Sequence, residues 1–277
     1  AIGWKYKKLI MATYYLSPTG NDTTGSGTIG SPWFTLEKAW TVVAAGDTVY
    51  MRNGIYQYTT QQDLNGRNGT AGNLIKVWAY PGETPNIRGE NYVFNVATDQ
   101  DLISFTGNYV HFKGLEISYF EQQPDQSNWF GFRSGDMNNC IVENINYHHN
   151  GAAFTVRGDS TGNLFLNCDF HHMQDPYSDS PYDGADGLGI TYNTNTSSVN
   201  TIRNCRAWWC ADDGFDTWQN DGYVEFDNCW SFYNGYIPDT FTTAGNGSGF
   251  KLGSGNISTT TVKRYIHNCL AFKNRSW

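Results

Sequence analysis

With 277 residues and 39% hydrophobic content the chain can bury a sizeable core, yet only 16% of its residues are charged. Helix-forming runs are nearly absent, and 30 glycines and 10 tryptophans among abundant Asn, Ser and Thr favour many short strands and tight turns. A net charge of −8 and a pI of about 5.1 argue against nucleic acid or an anionic membrane as partner, and no apolar run is long enough for a membrane helix.

Residues 1–10 are basic but lack the apolar core of a signal peptide, so either a signal has been removed or they are a leftover preceding Met11. Tyr14-Tyr15-Leu16 followed by Ser17-Pro18-Thr19-Gly20 reads as a strand and turn. Ser31-Pro32 then predicts a helix over Phe34 to Ala45, with proline at its first position, and Gly46 to Arg52 resumes a strand. From there the chain repeats itself. Lys113-Gly114-Leu115, Glu143-Asn144-Ile145, Leu166-Asn167-Cys168, Arg203-Asn204-Cys205, Asp227-Asn228-Cys229 and His267-Asn268-Cys269 each open a short strand of period-two alternation. Steps of 30, 23, 37, 24 and 40 residues separate them, as expected for a fixed coil carrying variable insertions.

Units this short cannot close a core alone and must stack. The expected fold is therefore all-β: a right-handed parallel β-helix forming one domain over residues 1–277, with the predicted helix capping its open end within about the first fifty residues. Nothing like a cap follows Asn274, so the solenoid is expected to stop unfinished. The stacked column Leu115, Ile145, Cys168, Cys205, Cys229 and Cys269 reads as buried thiols replacing aliphatic side chains, ahead of disulfides or zinc. Asn150, Asn234 and Asn274, with Cys210 standing in once, form a second ladder. Its asparagines can bond to one another between coils and adopt left-handed backbone angles.

The strand that follows each turn also aligns, as Ala152-Ala153-Phe154-Thr155, Asp186-Gly187-Leu188-Gly189, Asp213-Gly214-Phe215-Asp216 and Ser248-Gly249-Phe250-Lys251. The column Phe154, Leu188, Phe215 and Phe250 faces inward. Its outward neighbours are Thr155, Gly189, Asp216 and Lys251, which puts Lys251 one coil, about 4.8 Å, from Asp216. Asp186 and Asp213 share another column, whereas Asp212 has no such register argument. Four carboxylates gathered here, with no His or Cys, call for a hard cation such as Ca²⁺; Asp179 and Asp183 rank behind them. Taken alone, Asp186-Gly187 would be a turn and Lys251 a salt-bridge partner of Asp216. It is the combination that points to chemistry.

Ala185-Asp186-Gly187, Ala211-Asp212-Asp213-Gly214-Phe215-Asp216 and Gly249-Phe250-Lys251-Leu252-Gly253 resemble motifs of the family 9 polysaccharide lyases, the β-helical pectate lyase group, and the likeness extends over nearly the whole chain. The resemblance implies Asp186, Asp212, Asp213 and Asp216 as Ca²⁺ ligands and Lys251 as the catalytic base. It also implies a secreted enzyme that cleaves pectate-type, galacturonate-containing polymers by β-elimination. The chain has Ser248 where the family often has Asn, and it ends sooner after the lysine than the family does.

A monomer acting on an acidic polysaccharide, without nucleic acid or membrane partners, is the expectation. An alkaline pH optimum is expected as well, because the cation lowers and Asp216 raises the pKa of Lys251. Rhamnogalacturonan I is the alternative substrate. Outside the lyase class, the rivals are a β-helical glycoside hydrolase using Asp212 and Asp213, and a non-catalytic carbohydrate-binding β-helix. Arg157, Tyr192, Trp218 and Lys273 are candidate sugar-binding residues. His148-His149 and His171-His172 are expected to point to opposite faces of their strands and so to make a poor shared metal site.

Overall fold

The computed structural model describes residues 11–93, 98–124, 127–253 and 263–276; the reading of residues 1–10 lies outside them. Twenty-four short strands and one short helix make up the described regular structure. The strands sort into three sheets of nine, eight and seven members, every strand pairing parallel with strands one coil away. This is the right-handed parallel β-helix expected from the repeats.

One coil shows how the sequence closes it. Ile141–Glu143 lies in the nine-stranded sheet, Asn146–His148 in the eight-stranded sheet and Phe154–Thr161 in the seven-stranded sheet. Asn144 turns the first corner at φ 53° and His149 the second at φ 52°. The first corner repeats through Gly114, Asn167, Asn204, Asn228 and Asn268, all at φ between 54° and 73°, a conformation that glycine and asparagine tolerate best. The asparagines also tie the coils together, since Asn228 Nδ2 donates to Asn204 Oδ1 at 2.9 Å and Asn204 Nδ2 to Asn167 Oδ1 at 3.1 Å.

The second ladder departs from expectation. The left-handed angle belongs to the residue before each rung: His149, Trp209, Tyr233 and Lys273. The buried Asn150 and Asn234 instead use their side-chain oxygens to accept from the backbone N–H groups of Phe120 and Cys210, and Asn234 Nδ2 donates to Asn274 Oδ1 at 2.9 Å. The rungs satisfy backbone donors that the corner strips of sheet partners.

Inside, Phe154, Leu188 and Phe215 are at most 1% exposed, and Phe215 stacks on Phe250 at 5.2 Å. All six cysteines are free, and Cys269 alone is not fully buried. The helix is shorter than expected, spanning Leu36–Trp40 rather than Phe34 to Ala45. Thr35, not Pro32, starts it: its hydroxyl accepts from Lys38 N at 3.1 Å, and Asp22 holds the N–H groups of Phe34 and Thr35. It ends where Thr41 Oγ1 turns back onto the Lys38 carbonyl. Leu36, Ala39 and Trp40 pack into the core.

Candidate metal centre and active site

The outward side of the seven-stranded sheet lines a groove of about 610 Å³. Its register is Thr155 beside Gly189, Gly189 beside Asp216 and Asp216 beside Lys251, the order expected from the aligned strands. The glycines of the two Asp-Gly pairs do not make left-handed turns. A Cβ on Gly187 would lie 2.5 Å from the Gly214 carbonyl oxygen, and one on Gly214 would lie 2.0 Å from Ser231 Oγ. They let adjacent coils approach closely enough for the aspartates to converge.

Asp186, Asp212 and Asp213 each present a carboxylate oxygen within 4.8 Å of the others, all three buried. Asp186 Oδ1 accepts from Asp213 N at 3.0 Å. Asp212 Oδ1 accepts from Asn246 N and Asp213 Oδ1 from Ser248 N, so the segment preceding Phe250–Lys251 clamps one oxygen of each carboxylate. The other oxygen of Asp212 is buried and has no donor. Asp216 sits slightly apart, its Oδ1 accepting from Trp218 N at 2.9 Å. Lys251 Nζ lies 3.0 Å from Asp213 Oδ2 and 3.8 Å from Asp216 Oδ1.

Burial penalises the charged form of these carboxylates, and their mutual repulsion adds to it. Burial and Asp213 push Asp212 up to about 7. Burial pushes Asp216 up to about 7 against the opposing pull of Lys251. Burial, with Asp216, Asp212 and Asp213, holds Asp186 well above the usual carboxylate range. Burial alone would lower Lys251, but Asp216, Asp186 and Asp213 outweigh it and raise the ammonium above its ordinary value. The site thus carries excess negative charge, an orphaned carboxylate oxygen and only hard oxygen donors. That set fits a Ca²⁺-type cation and suits softer metals poorly.

The groove brings together Arg157, Tyr192 and Trp218 with Asp179 and Asp183 of its rim. Arg157 lies 5.1 Å over the Phe130 ring and 5.0 Å over Tyr192, and its buried Nε meets no acceptor. Lys273 is elsewhere, donating to Tyr233 Oη at the far corner of its coil. Asp175 was not visible as a site residue because nothing local marks it. Fully buried, it accepts from Gly184 N and Ser178 Oγ through Oδ2 and so holds the 178–184 rim of the groove. Burial pushes it up to about 8.

The match of residues 14–277 to the family model for the Pel9A-like right-handed β-helix region makes this β-helix a polysaccharide lyase: the chain belongs to family 9. It is 28% identical to pectate lyase PEL9 of Emericella nidulans over 97% of this chain and 69% of that one. Among solved structures it superposes on a rhamnogalacturonan lyase with a TM-score of 0.80 at 29% identity, covering 95% of this chain and 69% of that one. On pectate lyase Pel9A the TM-score is 0.74 at 26% identity, covering 95% and 64%.

Proposed function

We propose that the chain is a Ca²⁺-dependent lyase acting on galacturonate-containing pectic polymers, pectate foremost, with Asp186, Asp212, Asp213 and Asp216 as metal ligands and Lys251 as base. The observation that carries this is a lysine amine 3.0 Å from a buried acidic cluster at the wall of an open groove. In the reaction, the neutral Lys251 amine takes the proton from C5 of a galacturonate unit. The electron pair left on C5 forms the C4–C5 double bond as the C4–O bond to the next sugar breaks; the leaving oxygen keeps the pair of that C4–O bond and takes a proton from solvent.

A cation bound by the aspartates would supply Lewis-acid stabilisation of the charge that develops on the substrate carboxylate. Arg157 is placed to pair with the carboxylate of another uronate, being free of any ion-pair partner among the described residues, while Arg133 beside it is committed to Asp99 and Asp101. Together these give a −8 protein a local positive field for an acidic polymer. Rhamnogalacturonan I is the second reading, favoured by the TM-score of 0.80 to a rhamnogalacturonan lyase. Secretion and a monomeric state belong to the same proposal; no helix among the described residues is long and apolar enough to cross a membrane.

Both polymers should be assayed with and without EDTA, following the ultraviolet absorbance of the unsaturated product, which hydrolysis does not form. Lys251→Ala should lower kcat by at least about a thousandfold, within the range general-base removal produces, while Ca²⁺ binding measured by calorimetry persists. Cleavage without unsaturated product would identify a hydrolase instead. Undiminished activity in Lys251→Ala would remove the lysine from its role.

A further inference from the structure

The expectation that His148-His149 and His171-His172 point apart fails, and the reason has a chemical consequence. His149 and His172 occupy the left-handed corner, at φ 52° and 58°, so each swings back against its predecessor instead of continuing the strand alternation. The Nδ1 atoms of His148 and His149 lie 2.7 Å apart, as do those of His171 and His172. The two pairs then stack coil on coil, His148 on His171 at 4.8 Å and His149 on His172 at 4.9 Å.

Three outer nitrogens are already engaged. His148 Nε2 is 3.0 Å from Glu116 Oε1, His171 Nε2 is 3.0 Å from Asn146 Oδ1 and His172 Nε2 is 3.2 Å from Asp239 Oδ1. An imidazole that donates Nε2–H to an oxygen is left, when neutral, with a lone pair on Nδ1. His171 and His172 therefore aim two lone pairs at each other across 2.7 Å. Something positive belongs between them. A shared proton is a poor answer, because burial and the neighbouring imidazoles push His171 down to about 2, and burial and His148 push His149 down to about 4.

We propose that these paired imidazoles are a binding site for a divalent transition metal such as Cu²⁺, held by Nδ1 of His171 and His172, with the His148–His149 pair one coil away offering a second two-nitrogen position. Donation of the outer N–H to carboxylate or amide oxygen is the arrangement that orients metal-binding histidines and raises their basicity. Metal–nitrogen bonds of about 2.0–2.1 Å at the right angle of a square-planar Cu²⁺ put the two nitrogens about 2.9 Å apart, so they need to part by a few tenths of an ångström and turn their lone pairs to one side of the line between them. Nitrogen donors alone select Cu²⁺, Ni²⁺ or Zn²⁺ and disfavour Ca²⁺. These strands belong to the eight-stranded sheet, so the site is separate from the aspartates of the groove.

The test uses the whole chain, stripped with EDTA and then held in excess Ca²⁺ to occupy the aspartates. Cu²⁺ is titrated by calorimetry, and the bound ion is examined by electron paramagnetic resonance. The expected result is saturable binding with hyperfine coupling to imidazole nitrogen, weakened about tenfold or more in His172→Asn. His172→Gln, which removes the same Nδ1 but keeps a side-chain donor for Asp239, serves as a second variant should the first fold poorly. A Cu²⁺ signal without nitrogen coupling, unchanged affinity in both variants, or no binding in the folded wild type would each overturn the proposal; the last would mean that the pairs are ordinary hydrogen-bonded tautomers. Pectate cleavage in Ca²⁺ is read separately and does not bear on it.

Discussion

At the scale of single residues, the candidate site is legible in the sequence where register carries it and illegible where long-range contacts do. Asp216 beside Lys251 and Asp186 beside Asp213 follow from aligning the strands, and both appear in the fold. Asp212 does not follow, because what brings it in is the backbone N–H of Asn246, 34 residues away, in an insertion the repeat does not contain. Asp212 nonetheless joins Asp186 and Asp213, while Asp216 stands outside that group, 3.8 Å from Lys251 Nζ. The same geometry sharpens the pH expectation. Asp213 as well as Asp216 faces Lys251, so the carboxylates hold its proton more firmly than one partner would. Only neutral amine can act as base, and below its pKa that fraction grows about tenfold per pH unit. With metal saturating, kcat/KM should climb steeply between about pH 7 and pH 9. A profile that peaks below neutrality would point to a carboxylate base.

At the scale of elements, the corners explain both what the repeat revealed and what it hid. The first corner was readable because its left-handed residue is the asparagine itself. At the second, the left-handed residue is His149, Trp209 or Tyr233, types that carry no such signature. Period-two alternation breaks there, so the facing of the histidine pairs could not be derived from it. The helix starts later than its proline predicts for a related reason, since Asp22, thirteen residues earlier, fixes the backbone of Thr35 as it caps the helix with its own hydroxyl. Two contributions at Asn204 can be separated. Its φ is 55°, and its side chain bonds both neighbouring rungs. Asn204→Ala loses the bonds and strains the backbone, for a cost of about 2 kcal/mol. Asn204→Gly loses the bonds and pays glycine's extra unfolded-state entropy but escapes the left-handed strain, and should cost about 1.5 kcal/mol. Chemical denaturation of the two variants decides the matter; a larger loss in the glycine variant would mean that the left-handed angle carries no cost at this corner.

For the whole molecule, the proposed cation site would link folding to metal binding through the buried acids. Asp212 and Asp216 rise to about 7 and Asp175 to about 8, and Asp186 stands well above its ordinary value, in each case through burial first. The unfolded chain releases these protons near the usual carboxylate range of about 4. Between that value and about 8 these acids therefore hold more protons in the folded state than in the unfolded one; the histidines that burial pushes down, His149 and His171 among them, oppose this only below about pH 6.5, so from there to about pH 8 stability falls as pH rises. Lys251, raised in the fold, titrates above the window and leaves the sign unchanged. Metal-free protein should accordingly melt at a lower temperature at pH 8 than at pH 6.5, the reverse of what salt-bridged surface acids would produce. Ca²⁺ competes with those protons, so its stabilisation should be small at pH 5 and large at pH 8. At a hundred times its dissociation constant a ligand adds about 2.7 kcal/mol, or roughly 5 to 10 °C for a chain of this size. Calorimetric melting in EDTA and in Ca²⁺ across this range measures both slopes. A metal-free melting temperature that stays level, or Ca²⁺ stabilisation equal at the two ends, would show that the aspartates are ionised in the empty fold and that the cation is not what balances them.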